Sequence, residues 1–319
     1  MPLRHAVCLA LAVAAVPVGS AAADDASGLK AFQAKEARLF EIGWKLVRGN
    51  APYCDNTARA AGWLLHDAAT YGDPVAVRRD LGLRGDIGVQ AVASGSPAER
   101  AGVRANDTLE SVNEVMVEHF PVSEPTWQRL RDVRAAIATE FDLGQPVIVG
   151  WSRPDGDRNG ADLMPVSVCA TQFELEPGSK RAVAEGARVV IGERFAGFGY
   201  SDDLLAAAIA HELAHNLLEH RKWLDERGRG RSRIRVTERE ADRLMPWLLA
   251  NAGYDPAAAV RFMREWGPRH GGGLFRKRTH DGWDERAAFI EAELPKITAA
   301  LAHGQADWSE AFERETSGD

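Results

Sequence analysis

His211, Glu212 and His215 fall within one short run, AAIAHELAHNL from Ala207 to Leu217. On a helix, the i and i+4 spacing puts both imidazoles on one face, one turn apart. That is where two ligands of a tetrahedral zinc ion must lie. Glu212 projects from beside them, placed to take a proton from a water molecule held at the metal. The helix itself is well specified: Ser201 is a suitable N-cap, Asp202 and Asp203 favour the positive end of the helix dipole, and Ala and Leu fill the rest. Positions around the motif are small or apolar apart from Asn216, which suits a buried helix. The bland alternative is a pair of hydrogen-bonded core histidines. It would bury two imidazoles and a carboxylate together with no ion to offset their desolvation.

A zinc site of this kind needs a third protein ligand. The metzincin arrangement would require Gly at 218 and His at 221, and the chain has Leu218 and Arg221. Downstream, Val236 to Ala252 reads VTEREADRLMPWLLANA, a helical stretch in which Glu238 and Asp242 are again i and i+4. Glu238 is the candidate third ligand, and Asp242 can accept the free N–H of a ligating imidazole. Glu240 competes for the ligand role but has no acid four residues on. HELAH followed by EREAD resembles the gluzincin endopeptidases of the HtpX and CAAX-protease type. The resemblance implies a zinc endopeptidase that holds Zn2+ through His211, His215 and Glu238. It also implies an edge strand in KRAVAEGARVVI, from Lys180 to Ile191, that aligns the substrate backbone, although Arg181 stands where the family usually has Asn. Thr279 and His280, followed by Arg286, resemble the family's T-H-P segment, with Asp281 in place of Pro. There the His stabilises the oxyanion or, in latent forms, closes the open metal position. His220 and His270 have no spacing that recruits them.

The elements that must position these groups come from a chain of 319 residues with 39 Lys and Arg against 46 Asp and Glu, a net charge of −7. Such a balance argues against a general nucleic-acid binder, and the length suggests two domains. After Arg4 and His5, an apolar run from Ala6 to Val18 ends in small residues up to Ala23, the pattern of a secretory signal peptide over residues 1–23. Export to a periplasm, or secretion, is then expected, the alternative for the run being a membrane anchor, for which it is short. Cys8 leaves with the signal, so Cys54 and Cys169 remain as an even pair. An oxidising compartment lets them bond; the alternative is two buried thiols.

Residues 24–80 read as a helical segment that packs on the peptidase. Phe32, Leu39, Phe40, Trp44 and Val47 recur at helical spacing, and a second helical stretch is expected from Asn56 to Tyr71. Trp44 and Trp63 are core candidates. Residues 81–171 change texture to short apolar runs broken by turn residues: Ile87 to Val92, Thr108 to Val112, Pro146 to Trp151 and Leu163 to Cys169, with a helical stretch from Trp127 to Phe141. Ile87-Gly88-Val89, GSPAERAGV from Gly95, the Asn106-Asp107 turn and Val112-Asn113 together resemble a PDZ domain of the bacterial periplasmic-protease type. Glu114 replaces the family's usual Gly, and Met116 to Trp127 is longer than usual. In such a domain an extended peptide pairs with a sheet edge while backbone N–H groups capture its terminal carboxylate. Ile87, Gly88 and Val89 are the candidate peptide-binding residues, the alternative being a closed PDZ that only packs on its neighbour.

The expected fold is therefore α+β: a mainly helical zincin-type metallopeptidase domain over residues 172–319 with a small edge sheet, plus a β-rich PDZ domain. If the N-terminal helices belong to the peptidase, the PDZ is an insertion. The expected partners are extended polypeptide substrates and a C-terminal peptide ligand at the PDZ, with no nucleic acid. Two basic stretches, Arg227 to Arg235 and Arg276 to Arg278 after Gly271 to Gly273, read as solvated mobile loops. The sharper alternative is a positive cleft rim facing acidic substrates or an anionic membrane surface. The rival functional reading is a non-catalytic binder or chaperone whose zinc site is structural or closed by His280.

Overall fold

A computed structural model describes residues 26–122, 124–270, 281–304 and 306–316. The signal-peptide expectation, His280 and the Arg276 to Arg278 stretch lie outside the described residues. The first element, α1 (Ala26–Gly49), buries Leu39, Ile42, Trp44, Leu46 and Val47. These side chains join Leu205, Ile209, Leu213, Leu244 and Leu248 in one core, so the first helix is a wall of the C-terminal half of the molecule.

The chain leaves that body along β1 (Thr57–Ala60) and enters a second one through β2 (Trp63–Asp67). This corrects the expectation of a helix from Asn56 to Tyr71, and it moves the start of the β-rich unit upstream of residue 81. Trp63, Leu64 and Leu65 are too short an apolar run to stripe a helix. A strand partner decides the matter: Trp63 to Asp67 pair antiparallel with Val92 to Ile87. Gly62 makes the turn between β1 and β2 at φ +77, where a Cβ would sit 2.3 Å from the Cβ of Ser96. Asp73 caps α2 (Pro74–Leu81) by accepting the Ala76 N–H.

The β-rich unit continues with β3 (Ile87–Val92), α3 (Pro97–Arg100), β4 (Thr108–Val112), β5 (Val115–Met116), α4 (Trp127–Asp142), β6 (Val147–Ser152) and β7 (Arg158–Leu163). Its strands are ordered β2-β3-β4-β6-β7, with β5 added to β4. The helix α4 contributes Val133, Ile137 and Phe141 to a core completed by Val89, Leu109, Val149 and Trp151. The chain then returns along β8 (Val166–Cys169), which pairs antiparallel with β1 from Ala60↔Val166 to Thr57↔Cys169. At the base of this two-stranded stem Cys54 and Cys169 form a disulfide with a Cα–Cα distance of 5.6 Å. The incoming and outgoing strands of the unit therefore lie side by side.

Next come β9 (Gln172–Glu176), β10 (Ala182–Ala184) and β11 (Arg188–Gly192). They form a sheet ordered β10-β11-β9, in which β11 runs parallel to β9 and antiparallel to β10. The rest is helical: α5 (Asp202–Leu217), α6 (His220–Arg227), α7 (Arg231–Asn251), α8 (Ala258–His270), α9 (Trp283–Ala302) and α10 (Trp308–Ala311). All positions from Leu205 to Ala210 on α5 are buried, as befits a helix that is apolar on every side. Buried Asn50, just past α1, accepts from the Asn251 amide and the Trp308 indole and donates to the Leu46 and Leu248 carbonyls. It locks the ends of α1, α7 and α10 together.

The expectation of a mobile loop from Arg227 to Arg235 is corrected, because α7 begins at Arg231 and charge pairing holds the flanks. Arg229 pairs with Asp225 and Arg235 with Asp281. Among the described residues no helix is long and apolar enough to cross a membrane.

Candidate metal centre

The helix α5 presents His211 and His215 one turn apart, with their ring centroids 4.9 Å from each other. From α7, Glu238 reaches the same point, its carboxylate oxygens 3.4 Å from His211 Nε2 and 3.6 Å from His215 Nε2. The two Nε2 atoms are 3.3 Å apart. A tetrahedral zinc ion with ligand bonds of about 2.0–2.2 Å separates its ligand atoms by roughly 3.3–3.6 Å. The donor triangle of two imidazoles and one carboxylate thus fits such an ion in both chemistry and size. Among the described residues, this is the group of His, Cys, Asp and Glu side chains whose donor atoms converge for a metal. Glu238 shares the pocket with the histidines, whereas Glu240 points away from it to His220.

Each imidazole is backed by a partner on its far side. His211 Nδ1 lies 3.1 Å from Asp242 Oδ1. Asp242 is fully buried and is gripped at both oxygens by Arg286, at 2.6 and 2.8 Å. His215 Nδ1 lies 2.9 Å from Nδ1 of His220, and His220 Nε2 is 2.8 Å from Glu240. Sequence reasoning missed His220. It is the first residue of α6, brought back beneath His215 by Glu219 in the left-handed region at φ +52. A separation of five residues matches no helical face, so periodicity gives no signal for it.

The charges of the pocket follow from this arrangement. Burial works against protonation of His211, but the Asp242 and Glu238 carboxylates outweigh it and hold the imidazole up at about 10. Such a pocket favours a cation. His215 is pushed down to about 3, chiefly by burial, with His211 and His220 adding to it. Burial also raises Glu212 to about 6, with Glu238 reinforcing it, while His211 and the backbone N–H of Ala184 oppose it.

The triangle opens onto a cleft of about 820 Å3 lined by Ala182, Val183 and Ala184 of β10, Glu212, Phe195 and Trp266. In the three-stranded sheet β10 pairs only with β11 among the described strands, which leaves its outer edge along the cleft. Asn216 fastens the β10–β11 turn to the motif helix by accepting the Gly186 N–H at 2.8 Å. Arg181 is turned onto Glu176 at 2.8 Å.

The three residues expected to read a peptide, Ile87, Gly88 and Val89, are buried in β3. The free edge expected there is absent: Gly88 pairs with His66 of β2 on one side and with Thr108 of β4 on the other. From α4, Arg129 holds Asp67 of β2 in a buried bidentate pair, and Arg134 donates to the Leu65 carbonyl. A Cβ at Gly88 would lie 2.5 Å from His66 Nε2, so glycine here admits the histidine ring of the chain's own strand.

Residues 88–138, from β3 into α4, match the PDZ domain family, and the chain contains a PDZ domain there. No curated protein and no solved structure matches the chain.

Proposed function

We propose that this protein is a zinc-dependent metalloendopeptidase acting on extended polypeptides, with its PDZ domain in a protein-interaction or regulatory role. The observation that carries the reading is the donor triangle of His211, His215 and Glu238, with the non-ligating carboxyl of Glu212 beside it in the cleft. A site that only braces structure has no use for that extra carboxyl. The likeness of HELAH and EREAD to the HtpX-type gluzincins supports the same assignment.

His211, His215 and Glu238 would hold the ion. When bound, zinc supplies Lewis acidity, lowering the pKa of water towards neutrality and polarising a peptide carbonyl. Glu212 accepts a proton from the attacking water and delivers it to the leaving amine. Its carboxyl lines the cleft beside the donor triangle, the position such a proton carrier needs. The outer edge of β10 orients the substrate by adding its backbone as a further strand, which restricts the enzyme to extended or unfolded segments. The Cys54–Cys169 disulfide supports an exported, periplasmic setting, with misfolded envelope proteins as substrates.

The test is cleavage of an unfolded protein by wild type and by Glu212→Gln, with zinc content measured for both. Loss of a general base should cost ~10^2–10^4-fold in turnover, with zinc content unchanged. Equal cleavage by the two proteins would sink the mechanism. Zinc bound with no cleavage by either would favour the non-catalytic binder.

A further inference from the structure

His220 takes no part in the chemistry above, yet it touches a proposed ligand from inside the protein, being only 1% exposed. The hydrogen positions around it follow from its neighbours. Glu240 is fully buried; its Oε1 accepts the Thr316 backbone N–H at 2.8 Å and its Oε2 faces His220 Nε2 at 2.8 Å. A carboxylate only accepts, so the hydrogen between it and His220 sits on Nε2. A neutral imidazole then offers a lone pair at Nδ1. That lone pair faces His215 Nδ1 at 2.9 Å. Two lone pairs cannot meet at hydrogen-bond distance, so with His220 neutral His215 Nδ1 carries the hydrogen; a doubly protonated His220 would leave it on His215 Nε2. In the neutral case His215 Nε2 is left with a free lone pair, 3.6 Å from Glu238 and 3.3 Å from His211 Nε2.

We propose that His220 is a positioning residue for the metal centre, acting with Glu240 to fix His215 in the tautomer and orientation that present Nε2 as a metal donor. The inference rests on the zinc-centre reading and deepens it. His211 receives the same service directly from Asp242, whereas His215 receives it through one intervening imidazole. The outer end of the relay is Thr316, whose backbone and hydroxyl both donate to Glu240. Nearby, Arg314 donates to the Leu218 carbonyl at the end of α5. The C-terminal segment thereby braces the ligand helix and its outer partner at once.

Glu240→Gln tests the relay with almost no change of shape. The Gln carbonyl can still accept from Thr316, but its amide donates to His220 Nε2. That reverses the hydrogens along the chain and puts one on His215 Nε2. Zinc affinity, measured by competition with a chelator, is expected to fall by ~10–100-fold, the usual loss when an outer partner of a ligand is altered. In wild-type protein held in excess chelator, 15N NMR of the imidazoles is expected to show the hydrogen of His215 on Nδ1. Equal zinc affinity in wild type and Glu240→Gln overturns the relay, as does a wild-type His215 protonated at Nε2. The NMR measurement stands if the variant fails to fold. A wild type that takes up no zinc overturns the metal-centre reading itself, and the two failures are thereby distinguished.

Discussion

At the scale of single residues the proposed centre is built from two kinds of contact. His211, Glu212 and His215 are legible from spacing alone, because they share one helix and its geometry is fixed. Glu238 and Glu240 cannot be separated with equal force in the sequence, since both lie on the following helix; only the packing of α7 on α5 turns Glu238 inward and Glu240 towards His220. His220 is illegible because its place depends on a left-handed residue at Glu219, outside any periodic pattern. The proposed ligand role of Glu238 gives a direct expectation. Glu238→Gln keeps the shape but removes the anionic donor, so zinc affinity should fall by more than the ~10–100-fold typical of an outer-partner change. Chelator competition would measure it, and zinc retained at wild-type affinity would remove Glu238 from the ligand set.

Among elements, the instructive failure is β2. A five-residue strand with three apolar residues in a row carries neither a period of two nor of 3.6, and its identity is decided by the neighbour it pairs with. Once paired, it brings His66 into a site that is 7% exposed. Burial pushes the His66 imidazole down to about 4, with Arg134 adding to the effect and Asp67 opposing it. An unfolded chain protonates this histidine near 6.5. Between those two values the unfolded state holds the extra proton, so the stability due to neutral His66 is complete above pH 6.5 and is lost as pH falls towards 4. The loss amounts to about 3 kcal/mol. Urea unfolding of wild type and His66→Phe at pH 7 and pH 4.5 would show it, as a fall in stability larger in wild type than in the variant. Parallel losses in both would mean that other groups set the acid sensitivity. In the PDZ unit β3, β4, β6 and the helix α4 were legible because Gly, Asn, Asp and Pro bound them. By contrast, β5 and β7 were not expected, the strand expected from Leu163 to Cys169 is divided between β7 and the stem strand β8, and the β2 pairing that fills the β3 edge is a long-range fact.

For the whole molecule, the division into a β-rich unit and a mainly helical body could be read from texture. The insertion and the Cys54–Cys169 bond could be read as well, as expectations; the paired strands at the junction of the two units could not. Their junction is the β1/β8 stem closed by the Cys54–Cys169 disulfide, 115 residues apart in sequence. Closing a loop of that length restricts the unfolded chain by about 4–5 kcal/mol in the entropic treatment. Cys54→Ser/Cys169→Ser should therefore unfold at a distinctly lower urea midpoint than the oxidised wild type, and reductant should bring the wild type to the same value. An unchanged midpoint would show that the stem holds without its covalent tie. The stem has a consequence for how such a protein can change over generations. With Ala60 and Val166 directly opposite one another, residues 61–165 occupy the position of the loop in a hairpin. By connectivity this is an insertion, yet Gln33 and Glu41 of α1 bond to Asn106 and Ser94 within it, so its removal in the gene would keep the path of the helical body while stripping α1 of partners.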